Sequence, residues 1–233
     1  MPAKKKITKK KLREPDEFIS YTQKVFLFVS HHSKKVVTAG IIVLALIMFI
    51  VFFQMWGRQK EEEAYRDFGS AMEIYRRAGS LNRERAPSEY KNVLAKFDEV
   101  ITKFRRTSSG KFSLLYKGNI DLQLGEFEEA IKAYQAFLEK AGKEKLYRLF
   151  AMEGLGYAYQ GKKDYENALR TYQNIAEMGE GVQMADAYLN MGLCYERLGK
   201  NKEALENYKA FLKVSQKSVM TNMILRKISY LER

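Results

Sequence analysis

The apolar positions of this chain fall into two regimes. From Val36 to Trp56 the sequence VVTAGIIVLALIMFIVFFQMW runs 21 residues without a charge, whereas beyond Gly57 apolar residues recur every three or four positions among charged ones. As a helix rising 1.5 Å per residue, the uncharged run spans about 31 Å, which matches a hydrocarbon core of roughly 30 Å. A core helix of a small soluble domain would carry a polar stripe, and none is present. A cleaved signal peptide would have a shorter apolar region ending in small residues; this one ends in bulky FFQMW, with Trp56 suited to the interfacial aromatic belt. The run predicts a retained transmembrane helix over 36–56.

The region 57–233 reads as helices with one apolar face. Tyr65, Phe68, Met72 and Tyr75 form a stripe up to Gly79; Pro87 then opens a second helix with Leu94, Phe97, Ile101 and Phe104 at the same rhythm. These predict a degenerate helical pair over 57–107. Only Gly57 separates the apolar run from this pair, and a direct continuation of the membrane helix would hold the exterior domain close to the bilayer.

Sliding the exterior sequence along itself aligns three segments, LLYKGNIDLQLGEFEEAIKAYQAFL from Leu114, MEGLGYAYQGKKDYENALRTYQNIA from Met152 and YLNMGLCYERLGKNKEALENYKAFL from Tyr188. Gly118, Gly156 and Gly192 correspond, as do Ala130, Ala168 and Ala204, and Tyr134, Tyr172 and Tyr208, at spacings of 38 and 36 residues. Each segment is a helical pair. Its first-helix glycine allows close approach of the partner helix at a propensity cost of about 1 kcal/mol. Turns are expected at Leu124-Gly125-Glu126, Gly161-Lys162-Lys163-Asp164 and Leu198-Gly199-Lys200. A last helix over 217–231 places Met220, Ile224, Ile228 and Leu231 inward and Lys217, Thr221 and Lys227 outward, as a cap for the open end of a stack requires.

These pairs resemble tetratricopeptide-repeat (TPR) units, which combine Leu-Gly and Tyr in the first helix with Ala and an aromatic in the second. Leu155, Gly156, Tyr159, Ala168 and Tyr172 fit best. Lys117 departs from the Leu usual before the glycine, and Asn201 replaces the aromatic found at Phe127 and Tyr165. The expected fold is all-α: an N-terminal transmembrane helix followed by a TPR helical solenoid with a C-terminal capping helix. Its units are expected over 111–144, 149–182 and 185–216.

Charge adds direction. The net charge is +13, and residues 1–35 hold ten Lys or Arg against three acids. After the apolar run, Arg58, Lys60 and Arg66 are matched by Glu61, Glu62, Glu63 and Asp67. The positive-inside bias therefore places 1–35 in the cytoplasm and everything after Gly57 across the membrane, which in a Gram-negative cell is the periplasm. The basic leader suits anionic headgroups. After Pro15 a helix start leads into Phe18, Tyr21, Val25, Phe28 and Val29 on one face, as in an amphipathic juxtamembrane helix. The remaining positive charge is interleaved with acids, so no nucleic-acid partner is expected.

No catalytic site, cofactor or metal site is expected. Histidine is confined to the adjacent His31 and His32, which have no companions at ligand spacing, and no phosphate loop or nucleophile context is present. Cys194 stands alone and falls at a small-residue packing position, as an inert thiol would.

In a TPR stack the first helices line the concave face, the usual docking place for a peptide or helix. Helical spacing puts Leu115, Asn119 and Leu122, then Glu153, Tyr157 and Gln160, then Leu189, Leu193 and Glu196 on that face. Leu115, Leu189 and Leu193 can equally be covered by a neighbouring repeat or by the N-terminal pair. The mixture lacks the Lys and Arg that would clamp a terminal carboxylate, which favours extended or helical segments, nonnative chains included, over acidic tails.

The whole arrangement resembles the bacterial ancillary Sec-translocon subunit family (YfgM-like). That resemblance implies a single-pass inner-membrane protein whose periplasmic repeats associate with translocon subunits, membrane-bound periplasmic chaperones and exported clients. A scaffold for envelope assembly, such as cell-division or polysaccharide-secretion machinery, fits the same anchor and repeats, and self-association through the edge of the stack is open.

Overall fold

The computed structural model describes residues 17–80, 86–142, 144–215 and 218–232, with side chains from Tyr21 onward. The basic stretch 3–13, Pro15, Asp16, the Phe18 side chain and Lys217 lie outside the described residues. Among the described residues the chain forms ten helices and no strand, and it divides into two units, 1–58 and 59–233.

In the first unit, α1 (Glu17–His31) exposes Tyr21, Val25, Phe28 and Val29. Helix α2 (Ser33–Gly79) begins in this unit, and every side chain from Val37 to Trp56 is exposed. The helix is long and apolar enough to cross a membrane, and none of its most apolar eighteen-residue window is buried. A core helix would bury such a surface in protein, and this one leaves it exposed.

In the second unit, the later part of α2 buries Ala64, Ala71 and Ala78, one every seven residues. These small side chains admit α3 (Ala86–Lys103), which brings Val93, Phe97 and Val100. Phe97 also stacks on Tyr116 (centroids 5.8 Å apart, planes within 11°). Lys103 ties the pair by reaching Glu63 at 3.0 Å and Asp67 at 3.4 Å.

Three further pairs follow: α4 (Ser108–Leu124) with α5 (Phe127–Lys140), α6 (Lys145–Gly161) with α7 (Tyr165–Met178), and α8 (Gly181–Arg197) with α9 (Asn201–Val214). The first helix of each pair starts upstream of the repeated pattern. For α4 the cause is a cap: the Thr107 hydroxyl accepts the Gly110 backbone N–H at 3.0 Å, satisfying a donor the helix start leaves open.

The turns inside the pairs share a left-handed residue at corresponding positions: Gly125 (φ 78°), Lys163 (φ 64°) and Gly199 (φ 72°). Only the middle turn places a residue with a Cβ there, which costs about 1–2 kcal/mol. Gly161, which the sequence assigns to that turn, instead ends α6 against the Phe127 ring.

Each repeat is then closed by one contact. A Cβ on Gly118 would lie 2.8 Å from the Tyr134 ring and one on Gly156 2.5 Å from Tyr172 Cζ; Gly192 faces Tyr208 in the same way. The glycine thus admits a ring from the second helix, which is more specific than a general closeness of helices. Gly154, in the next pair, also backs onto the Tyr134 ring. Tyr134, Tyr172 and Tyr208 are at most 1% exposed, and burying a ring of that size contributes about 4 kcal/mol.

Helix α10 (Thr221–Leu231) closes the stack by placing Ile224 and Ile228 against Ala185, Leu189, Tyr208 and Phe211. Two sequence expectations fail here. Met220 precedes the helix and is more than a third exposed, and Lys227 turns toward α8, where its ammonium pairs with Glu196.

Candidate functional site

The first helices α4 and α6 leave a recess of about 630 Å³ between them. Leu115, Asn119 and Leu122 from α4 and Glu153 and Tyr157 from α6 all line it, so five of the nine sequence-selected residues come together. Leu115 is only 8% exposed, packed with Tyr134 and Leu155, and supplies floor more than rim.

Aromatic residues absent from the sequence selection make up much of the wall. Phe112, Tyr116, Tyr147 and Phe150 belong to the lining, with Phe112 meeting Tyr147 edge to face at 4.8 Å. Phe150 is about half exposed and Tyr147 and Tyr157 over a third, an arrangement fitted to cover an apolar segment. Phe150 lies three residues before Glu153 on the same helix face, so extending the stripe upstream of the repeat pattern would have found it.

The remaining four residues divide. Gln160 and Leu193 line a second recess of about 420 Å³ with Tyr157 and Arg197. The Gln160 amide also donates to the Asn190 carbonyl at 3.4 Å and to Cys194 Sγ at 3.1 Å. Leu189 is 6% exposed, covered by Ile224 and Ile228 of α10. Glu196 is engaged inside the protein, accepting from the Tyr208 hydroxyl and pairing with Lys227. The capping helix therefore takes Leu189 and Glu196 of α8 into its packing, while Leu193 of the same helix stays in the second recess.

Among the described residues, the charge of the first recess comes from one side chain. Glu153 accepts a hydrogen bond from the Tyr157 hydroxyl at 3.2 Å, and burial pushes its carboxyl above the usual range despite that bond. Burial, with Glu153 beside it, pushes the Tyr157 phenol up to about 12. Asp186 of α8, raised by burial, joins Glu153 in lining a small cavity of about 10 Å³ together with Tyr172 and Asn190. Among the described residues neither carboxylate has a Lys or Arg within ion-pair distance.

Two other buried groups titrate away from their ordinary values. Asp121, at the end of α4, is 3% exposed, and its Oδ2 has no hydrogen-bond partner; burial pushes its pKa up to about 6, against the pull of Lys117 at 3.8 Å. Burial likewise raises the Cys194 thiol, against the hydrogen bond it accepts from the Gln160 amide. The arrangement offers a shaped, partly apolar surface with fixed charge, the equipment for holding a polypeptide.

A family model described as a tetratricopeptide repeat-like domain matches residues 28–233. No curated protein sequence gives a significant match. Several solved structures share the fold. The apo form of RapI superposes with a TM-score of 0.57 at 18% identity, covering 73% of this chain and 63% of its own. The MamA protein gives 0.55 at 18% identity, covering 71% and 80%. A tetratricopeptide repeat protein from Parabacteroides merdae gives 0.55 at 18% identity, covering 70% and 60%. This chain thus spans less than two thirds of the RapI structure, and at these identities the likeness concerns the fold.

Proposed function

The chain belongs to the tetratricopeptide repeat-like domain family, and from that membership we propose that it is a membrane-anchored scaffold that assists export or chaperoning of newly translocated proteins at the Sec translocon. The repeats serve protein partners, as the fold implies. The finer reading places the repeats in the periplasm, held by the helix over 36–56 with the basic leader in the cytoplasm, and takes translocon subunits, membrane-bound chaperones and exported clients as the partners.

The observation that carries this reading is the recess between α4 and α6. Its partly exposed Tyr147, Phe150 and Tyr157 offer apolar surface at a concave site, and among the described residues only Glu153 brings charge to its lining. Such a lining suits extended, apolar-rich segments better than folded surfaces or acidic tails. The capping helix does not reach it.

The test is affinity purification from native membranes after brief crosslinking in cells, read by mass spectrometry. Translocon or periplasmic chaperone subunits are expected among the adducts. Recovery of cell-division or polysaccharide-secretion components alone would replace this reading with the envelope-assembly one. Protease added to intact spheroplasts is expected to digest the region after Arg58, and its full protection would overturn the topology.

A further inference from the structure

Three tyrosines occupy corresponding positions, and two of them have a partner for the hydroxyl. Tyr134 donates to Asn119 Oδ1 at 2.7 Å, and Tyr208 donates to Glu196. Tyr172 is 1% exposed, and its hydroxyl has no hydrogen-bond partner among the described residues. The repeat pattern explains the vacancy. The position of Asn119 is taken by Tyr157 in the second unit, and the position of Glu196 by Gln160, whose amide is committed to Asn190 and Cys194. A buried hydroxyl without a partner is costly and asks for a donor or acceptor from elsewhere.

Tyr172 belongs to the lining of the 10 Å³ cavity, where Glu153 and Asp186 also sit with no Lys or Arg within ion-pair distance among the described residues. One water-sized group fits such a volume. In a chain of net charge +13, two part-buried carboxylates held without a Lys or Arg partner form an exception to the surrounding field. An ammonium group matches the vacancy in three respects. It is about the size of a water molecule, it carries the missing charge, and its three N–H donors can serve two carboxylates and a phenol oxygen. A planar guanidinium is too broad for it.

Glu153 lines the aromatic recess as well as the cavity. We propose that the Glu153–Asp186–Tyr172 cavity is a lysine-selective subsite, taking the ammonium of a lysine in an extended apolar segment of a partner polypeptide whose neighbouring side chains lie against Phe150 and Tyr157. The inference rests on the scaffold reading above and names the chemistry of the segment bound. The lysine stem, four methylenes long, passes over the Tyr157 ring, and its charged end replaces water at the carboxylates.

The test uses the full chain in detergent micelles and three fluorescent peptides, blocked at both ends, with the core Leu-Lys-Phe-Leu, Leu-Arg-Phe-Leu or Leu-Gln-Phe-Leu. By anisotropy the lysine peptide is expected to bind about ten-fold more tightly than the glutamine peptide, the yield of one good charged hydrogen bond, with arginine between them. Glu153→Gln is expected to remove that preference without lowering the melting temperature, and Tyr172→Phe to weaken it. Equal binding of the lysine and glutamine peptides would mean that the cavity holds an ordered water only and would overturn the subsite. Arginine binding as tightly as lysine, a preference that survives Glu153→Gln, or no binding of any peptide would overturn it too. If native-membrane crosslinking still recovers translocon or chaperone subunits in those cases, the scaffold reading stands while the lysine subsite falls.

Discussion

Gly156→Ala sets two effects of opposite sign against each other. Alanine in place of glycine inside a helix is worth about 1 kcal/mol in its favour. At this position, however, the new Cβ would sit 2.5 Å from Tyr172 Cζ and 2.6 Å from Cε1. Ordinary carbon contacts begin near 3.5 Å, so the ring or the helix must retreat by about 1 Å. Tyr172 is 1% exposed and packed in a cluster with Leu149, Ala168, Ile175 and Ala187, which leaves it nowhere to go. Overpacking of this kind costs about 1–3 kcal/mol or somewhat more, so the substitution is expected to destabilise by about 1–2 kcal/mol net. Gly69→Ala is the matched control: it lies in α2, exposed, with no heavy atom within 4 Å of the new Cβ, and should stabilise by up to about 1 kcal/mol. For a chain of this size that predicts a fall of about 3–6 °C for Gly156→Ala and a rise of about 2–4 °C for Gly69→Ala, by circular dichroism melts in detergent. In a Tyr172→Leu background the penalty for Gly156→Ala should shrink, because the ring that opposes the Cβ is gone. A Gly156→Ala protein as stable as the Gly69→Ala one, or a penalty undiminished without the ring, would refute the account.

Two further substitutions test single features. Lys163→Gly removes a Cβ from a left-handed turn position (φ 64°) and is expected to stabilise by about 0.5–1 kcal/mol, the strain relieved less the entropy glycine loses on folding; no change in the melting temperature would count against strain there. Asp121 holds its proton more tightly in the folded chain (about 6) than an ordinary aspartate does (3.8), so its burial costs nothing at low pH. The penalty grows as pH rises from about 4 to 6 and stays constant above, at most about 3 kcal/mol. Asp121→Asn should therefore stabilise at pH 7 and lose that advantage near pH 4; a gain independent of pH would show that ionisation is not its source.

Much of this architecture was written in the residues themselves. The repeated glycines and tyrosines were legible because the sequence recurs at spacings of 38 and 36 residues, and the long apolar helix because the run to Trp56 carries no charge. What the sequence hid depends on neighbours distant along the chain. Leu189 and Glu196 carry the spacing of an open face, yet α10 turns back to cover them through Ile224, Ile228 and Lys227. Asp121 resembles any polar residue near a helix end until the packing around it closes. Lys163 could be found as the left-handed residue only by aligning it with Gly125 and Gly199 instead of trusting the nearby Gly161. The orphaned hydroxyl of Tyr172 has no signature of its own, since it arises from what Tyr157 and Gln160 fail to supply.

Tyr134 packs against Gly118 of its own pair and against Gly154 of the next. A ring held by two modules works as a dowel: neither module can fray while the other stays intact without opening a hole the size of a benzene. In linear arrays such nearest-neighbour coupling decides whether units melt singly or as a block. Here it joins the two modules that form the recess, so the binding surface should persist or vanish as one piece under thermal or mechanical load.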